Sequence, residues 1–278
     1  MREFSQVSSS EFTTMHCGGK IASMFEPETK EQLQGLITEF DDFIMLGGGS
    51  NIIFEDTLIK KPVIRLGKGF DNVSRNRDEI YCGAALPTSK LLYYCEEHGL
   101  SGLEFLAWIP GTIGGALFMN AGTAERGIMD AVIDVEILDK DGIRYIPRSN
   151  LPYGYRTGGF RQDTVIIGAR FALKSVTRLQ VSAAIESFKE KKRGQPGGYS
   201  CGSVFRNPPQ TSAGLLIEQA GMKGYTIGGA RVSQAHANFI INDGTASTSD
   251  ILDLIRTIKH EVREKFGIEL IEEVRIIG

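Results

Sequence analysis

Three short stretches set reactive side chains beside restricted backbone. Tyr155-Arg156 runs into the glycine-rich Gly158-Gly159-Phe160-Arg161. Gly202-Ser203-Val204-Phe205-Arg206-Asn207-Pro208 places a hydroxyl directly after a glycine, and Glu272-Glu273-Val274-Arg275 lies near the end of the sequence. A guanidinium can hold an anion, a hydroxyl can deliver or relay a proton, and a carboxyl can serve as acid or base according to its ionisation. Taken singly, each also has an ordinary reading. A lone Arg is usually a solvated surface charge, a lone Ser a turn residue and a late Glu an exposed one.

Glycine supplies the second signal: 33 of 278 residues, against an average near ~7%. The excess is clustered rather than periodic. One cluster is Leu46-Gly47-Gly48-Gly49-Ser50-Asn51; the other is Ile109-Pro110-Gly111-Thr112-Ile113-Gly114-Gly115-Ala116, continuing to Asn120-Ala121-Gly122. Successive N–H groups without side chains can form a concave nest for phosphate oxygens. Neither cluster matches the P-loop pattern, and no stretch matches G-x-G-x-x-G, which disfavours both a P-loop nucleotidase and a Rossmann dinucleotide site. Each cluster alone also fits a tight structural turn. Two of them at the ends of apolar strands favour a pyrophosphate held by backbone amides.

Charge narrows the partners. Lys plus Arg number 31 and Asp plus Glu 34, a formal net charge of -3, so a nucleic-acid binder working through a basic face is disfavoured. No apolar run approaches the ~20 residues of a membrane span, and Met1-Arg2-Glu3-Phe4-Ser5 lacks a signal-peptide pattern. The expected location is the cytoplasm. Cys17, Cys82, Cys95 and Cys201 form no Cys-x-x-Cys pair, and His16, His98, His236 and His260 are scattered. Neither a metal site nor a disulfide framework is predicted; buried free thiols are.

These groups must be positioned by a mixture of strands and helices. Residues 42–54 read as a buried strand, a glycine turn and a second apolar run. Further strands are predicted at 63–66, 79–82, 131–138 and 164–173, where β-branched residues dominate. A helix is predicted over Ser89–His98, stopped by Gly99. The charged, turn-rich segment Lys189–Gly198 reads as a domain boundary, giving 1–188 and 189–278. Beyond it come a strand-like Ser203–Phe205, an amphipathic Ala213–Ala220 and an apolar Ala237–Ile241. Last is a helix with Ile251, Leu254, Ile255, Ile258, Val262 and Phe266 on one face, begun by Ser247-x-x-Asp250 and ended by Gly267. Without regular βαβ repetition the class is α+β.

Together the strings resemble the UDP-N-acetylenolpyruvoylglucosamine reductase family. Those in the first half are Leu46–Asn51, Gly102-Leu103-Glu104, Ile109–Ala116, Asn120-Ala121-Gly122 and Tyr155-Arg156. In the second half they are Gly202–Pro208, Ala213–Glu218, Gly228-Gly229-Ala230, His236-Ala237-Asn238 and Glu273–Gly278. They occur in the family's order over nearly the whole chain, and the short spacing from Arg156 to Ser203 resembles the subgroup without an inserted tyrosine-bearing loop. The resemblance implies an FAD-binding region of the vanillyl-alcohol-oxidase (PCMH) type, followed by a smaller α+β substrate domain.

It further implies FAD and NADPH as cofactors and a UDP-sugar enolpyruvyl ether as substrate, in peptidoglycan precursor synthesis, by a monomer without nucleic-acid or membrane partners. Gly47, Gly48, Gly49, Ser50, Asn51, Pro110, Gly111, Thr112, Gly114, Gly115, Ala116, Asn120 and Gly122 would meet FAD. Ser203 would donate the proton, and Arg156 and Glu273 would orient the substrate carboxylate. Beside that carboxylate Glu273 would need a raised pKa. Tyr155, Asn207, Gln219, His236 and Asn238 would contact the nucleotide sugar and Arg206 its diphosphate, with a purely structural role as the alternative for His236. Four residues depart from the family's pattern: Thr157-Gly158 stands in place of Asp-Ser, Trp108 in place of a common glycine, and Ala124 in place of a tyrosine. Trp108 is expected in the core, with a flavin contact as the alternative. Another oxidase of the same flavin fold, or a non-catalytic flavin or nucleotide-sugar binder, is the rival reading.

Overall fold

The computed structural model describes residues 1–123, 125–161 and 163–278. They form two compact units, each discontinuous in sequence. The first comprises Met1–Phe4, Met24–Gly48 and Lys61–Arg193; the second comprises Ser5–Ser23, Gly49–Lys60 and Gly194–Gly278.

The first unit is built on a five-stranded antiparallel sheet ordered Gly142–Pro147, Val132–Asp139, Val165–Ala172, Glu79–Gly83, Val73–Asn76. Its central strand, Val165–Ala172, is rich in β-branched residues because helices cover both faces. Helix α1 (Lys30–Glu39) packs Leu33, Leu36 and Ile37 on Leu138, Val165 and Ile167. Helices α2 (Thr88–Glu97), α3 (Ile113–Met119) and α4 (Arg178–Lys191) cover the other face, where Leu91, Cys95, Leu117, Val181 and Ile185 join Ile80, Val135, Ile137, Ile166 and Phe171. A register shift between Ile166 and Gly168 lets Ala169 and Phe171 share the face of Ile166.

The second unit centres on α6 (Thr248–Phe266). It is capped as its sequence predicts, by Ser247 and Asp250 exchanging hydrogen bonds and by Gly267 at φ 66°. Ile251, Leu254, Ile255, Ile258 and Val262 are buried, while Phe266 is 38% exposed at the end of the stripe. Around α6 lie α5 (Ala213–Gln219), the strands Thr226–Ile227, Ala230–Val232 and Ile240–Asn242, and Ile52–Phe54 paired in parallel with Arg275–Ile277.

Specific polar anchors draw two early segments into this unit. Asn242 donates to the Met15 carbonyl while its own carbonyl accepts from Gly244 and Ala246. The Asp56 carboxylate accepts from the first N–H groups of α6, at Thr248 and Ser249. The boundary read at 188/189 falls inside the last turn of α4, and the last segment of the second unit begins at Gly194. Among the described residues, no helix is long and apolar enough to cross a membrane.

Candidate active site

In the first unit the two glycine clusters lie against each other. A Cβ on Gly48 would sit 2.6 Å from the Gly111 Cα, and one on Gly47 would sit 3.0 Å from the Thr112 Oγ1. Only bare backbone permits that approach. Among the described residues, no hydrogen bond uses the N–H of Gly47, Gly48, Gly111 or Thr112. A side-chain-poor cradle with unspent amides suits the pyrophosphate of FAD without basic side chains.

The neighbouring positions serve the fold. The Gly114 N–H donates to the Ala84 carbonyl, the Gly115 N–H to Thr112 Oγ1, and the Ala116 N–H to the Thr112 carbonyl. Asn120, predicted to meet FAD, is buried in a left-handed conformation, and both ends of its amide are engaged. It accepts from the Met129 N–H and donates to the Gly154 carbonyl. It is therefore a strut beneath the loop that carries Arg156.

That loop is a tight turn. Gly154 and Thr157 exchange backbone hydrogen bonds, leaving Tyr155 and Arg156 at the tip, with Arg156 at φ 58°. The guanidinium donates to the Gly122 carbonyl at 3.1 Å and lies 5.1 Å from the centre of the Tyr155 ring. The departure at Gly158 has a steric reason: a Cβ there would lie 2.1 Å from the Leu117 carbonyl oxygen. Sequence reasoning passed over Lys192, a half-buried residue whose pKa is lowered by burial first and by Arg156 second. It belongs to a charged run that reads as solvated surface. The departure at Ala124 lies outside the described residues.

In the second unit, residues 203–206 run between two partners. Ser203 bridges Phe239 and Phe205 bridges Glu272, both antiparallel. The N–H groups of Glu273 and Val274 both donate to the Val204 carbonyl, at 2.8 and 3.4 Å. Two residues facing one is the hydrogen-bonding pattern of a β-bulge, which breaks the regular side-chain alternation at Glu273. Backbone pairing thus brings Ser203 and Glu273 together across 70 residues of sequence. Asn51, at the end of the first glycine cluster, donates to the Glu273 carbonyl and accepts from the Arg275 N–H. The Ser203 hydroxyl makes no hydrogen bond among the described residues and is partly exposed.

Asn238, expected at the nucleotide sugar, also braces the reactive strand. It is 3% exposed, and its side chain accepts from the Phe205 N–H and donates to the Phe205 carbonyl. It clamps the reactive strand through one donor and one acceptor of its amide. His236 accepts the Asn238 N–H at Nδ1, which leaves Nε2 as its protonated nitrogen when neutral. Arg206, Asn207 and Gln219 are exposed, Asn207 accepting the Ala213 N–H at the start of α5. Gly49, Ser50 and Asn51 also fall in this unit, with Gly49 at φ 66°. Trp108, expected in the core, is 63% exposed.

Residues 195–277 match the family described as "UDP-N-acetylenolpyruvoylglucosamine reductase, C-terminal domain", and residues 21–145 match "FAD binding domain". The UDP-N-acetylenolpyruvoylglucosamine reductase 1 of Bacillus anthracis is 38% identical, over 96% of this chain and 92% of that protein. The reductase of Syntrophobacter fumaroxidans is 39% identical, over 96% and 81%. The crystal structure of UDP-N-acetylenolpyruvylglucosamine reductase from Thermus caldophilus superposes with a TM-score of 0.89 at 32% identity, covering 100% of this chain and 98% of that one. With a cradle fitted to FAD and this likeness running through both units, the chain belongs to the UDP-N-acetylenolpyruvoylglucosamine reductase family.

Proposed function

We propose that the chain reduces the enolpyruvyl ether of UDP-N-acetylglucosamine enolpyruvate to UDP-N-acetylmuramate, in peptidoglycan precursor synthesis, as an NADPH- and FAD-dependent oxidoreductase. It works in the cytoplasm, as a monomer. The observation that carries the reading is the pairing of the Ser203 strand with Glu273, fastened to Asn51 of the glycine-rich segment.

The unspent amides of Gly47, Gly48, Gly111 and Thr112 would hold the pyrophosphate of FAD, and the bound cofactor would supply to the β-carbon of the double bond a hydride drawn from NADPH. Hydride addition leaves negative charge on the α-carbon and on the carboxylate it bears. Arg156 holds that carboxylate with a fixed positive charge, which matters most as the charge develops and so lowers the barrier rather than merely tightening binding. The Ser203 hydroxyl delivers a proton from Oγ to the α-carbon, which balances the hydride at the β-carbon. Serine is a weak acid, so its contribution rests on placement about 3 Å from that carbon and on re-protonation from solvent. Glu273 meets the substrate carboxylate as a carboxylic acid or through a shared proton, because two carboxylates in contact repel. Tyr155, Arg206, Asn207, Gln219, His236 and Asn238 would contact the nucleotide sugar.

A visible spectrum of the purified protein tests this reading. NADPH without oxygen should bleach the flavin band, and the enolpyruvyl substrate should restore it. Recovery with oxygen alone would make the protein an oxidase, and absence of bleaching would make it a binder.

A further inference from the structure

We propose that the Trp108 indole is a stacking platform for a planar heteroaromatic ring of a bound cofactor, an inference that rests on the functional reading above. Trp108 holds φ 69°, a left-handed conformation that costs a bulky side chain energy, and its ring is 63% exposed. Both flanks are fixed. Phe105, Leu106 and Ala107 are buried, and the Ile109 N–H donates to the Leu106 carbonyl. The Thr88 hydroxyl donates to the Ile109 carbonyl at 2.7 Å, and the Thr88 N–H donates to the Gly111 carbonyl at 3.1 Å. The backbone at 108 therefore cannot relax without undoing the approach to the cradle.

Among the described residues nothing compensates this strain. Among the described residues the indole N–H makes no hydrogen bond and the ring stacks on no neighbour. A glycine would relieve the strain and remove a large apolar surface from water. Strain and exposure held together by a rigid frame mark a side chain kept for something outside the fold. The position says what. Trp108 precedes Gly111 by three residues, at most about 10 Å of extended chain, so its ring lies within reach of a cofactor seated at the Gly47-Gly48 and Gly111-Thr112 amides. An electron-rich indole face suits an electron-poor planar heterocycle. FAD offers isoalloxazine and adenine, and NADPH offers nicotinamide and adenine.

Trp108 is the one tryptophan of the sequence, so its emission reports this contact directly. Two arms separate the sources: deflavinated protein titrated with FAD, and FAD-loaded protein titrated with NADP+. In the arm whose ring stacks, the bimolecular acrylamide quenching constant of Trp108 should fall severalfold on binding. In that same arm Trp108→Gly should raise Kd by about 10-fold, the order expected for one aromatic–base stack, and Trp108→Phe should restore most of the affinity. Ligand-free Trp108→Gly should also melt ~2–4 °C higher, since glycine adopts positive φ without strain. Unchanged quenching in both arms overturns the proposal, as does unchanged Kd in Trp108→Gly, or a lower melting temperature with affinity intact. The bleach-and-recovery cycle judges the functional reading separately, because it needs no tryptophan.

Discussion

Asn238 shows how a polar side chain beside a reactive strand can be engaged by backbone. Its two bonds to Phe205 satisfy a donor and an acceptor that are otherwise buried. Asn238→Ala leaves both without partners and should destabilise the protein by about 2–5 kcal/mol, read as a lower urea midpoint with unchanged slope. A binding role alone would instead raise KM and leave stability intact. Gly48 carries the opposite lesson, that of a side chain excluded. With 2.6 Å between its notional Cβ and the Gly111 Cα, Gly48→Ala must push the two glycine segments apart. FAD content per protein, from the ratio of 450 to 280 nm absorbance, should fall several-fold in that variant while the far-UV spectrum is retained.

At the scale of elements, a buried carboxylate fastens α1 to the sheet. Glu136 is 1% exposed and accepts from Lys30 at 2.6 Å, Tyr81 at 2.6 Å and Tyr145 at 3.0 Å. Burial pushes its pKa up, but the three hydrogen bonds together outweigh burial and leave it below the ordinary carboxyl value of 4.5. A lowered folded pKa means stability that is present above the unfolded value and lost as pH falls through the folded one. The stability gap between wild type and Glu136→Gln should therefore be full at neutral pH and shrink below about pH 4.5. A gap that stays constant to pH 3 would show that the carboxyl ionises alike in the folded and unfolded states.

Legibility followed the same physics. Helix α6 could be read because its caps and apolar stripe agree, and α2 because its stop at Gly99 is local. Helices α1 and α4 escaped the sequence reading: each buries only two or three apolar residues, Leu33, Leu36 and Ile37 or Val181 and Ile185, among polar neighbours. Helix α3 begins inside a glycine cluster and reads as loop. The strut role of Asn120 and the clamp role of Asn238 had no sequence signal, since their partners Gly154 and Phe205 are 34 and 33 residues away.

For the whole molecule, the discontinuity of the second unit was the least visible feature. The segments 5–23 and 49–60 join it through polar anchors at Asn242 and Asp56, through buried Met15, Cys17 and Ile53 and through the pairing of Ile52–Phe54 with Arg275–Ile277, and no composition shift marks them. The cysteines, by contrast, behave as the sequence predicts: all four are free and buried. Burial pushes the Cys95 and Cys201 thiols up to about 12 and raises Cys17 and Cys82 as well. A thiol reagent at pH 8 should therefore find no reactive group in the folded protein, and four after denaturation. A fast-reacting thiol in the native state would show that one of these cores opens.

The central claim is that Ser203 gives its proton to the α-carbon after hydride has arrived. Anaerobic stopped-flow absorbance on wild type and Ser203→Ala separates the two halves of the reaction. The account predicts that reduction by NADPH keeps its rate within about twofold while reoxidation by the enolpyruvyl substrate slows by about a thousandfold or more, the upper range for loss of a general acid. Equal loss in both halves, or reoxidation at the wild-type rate, would contradict it.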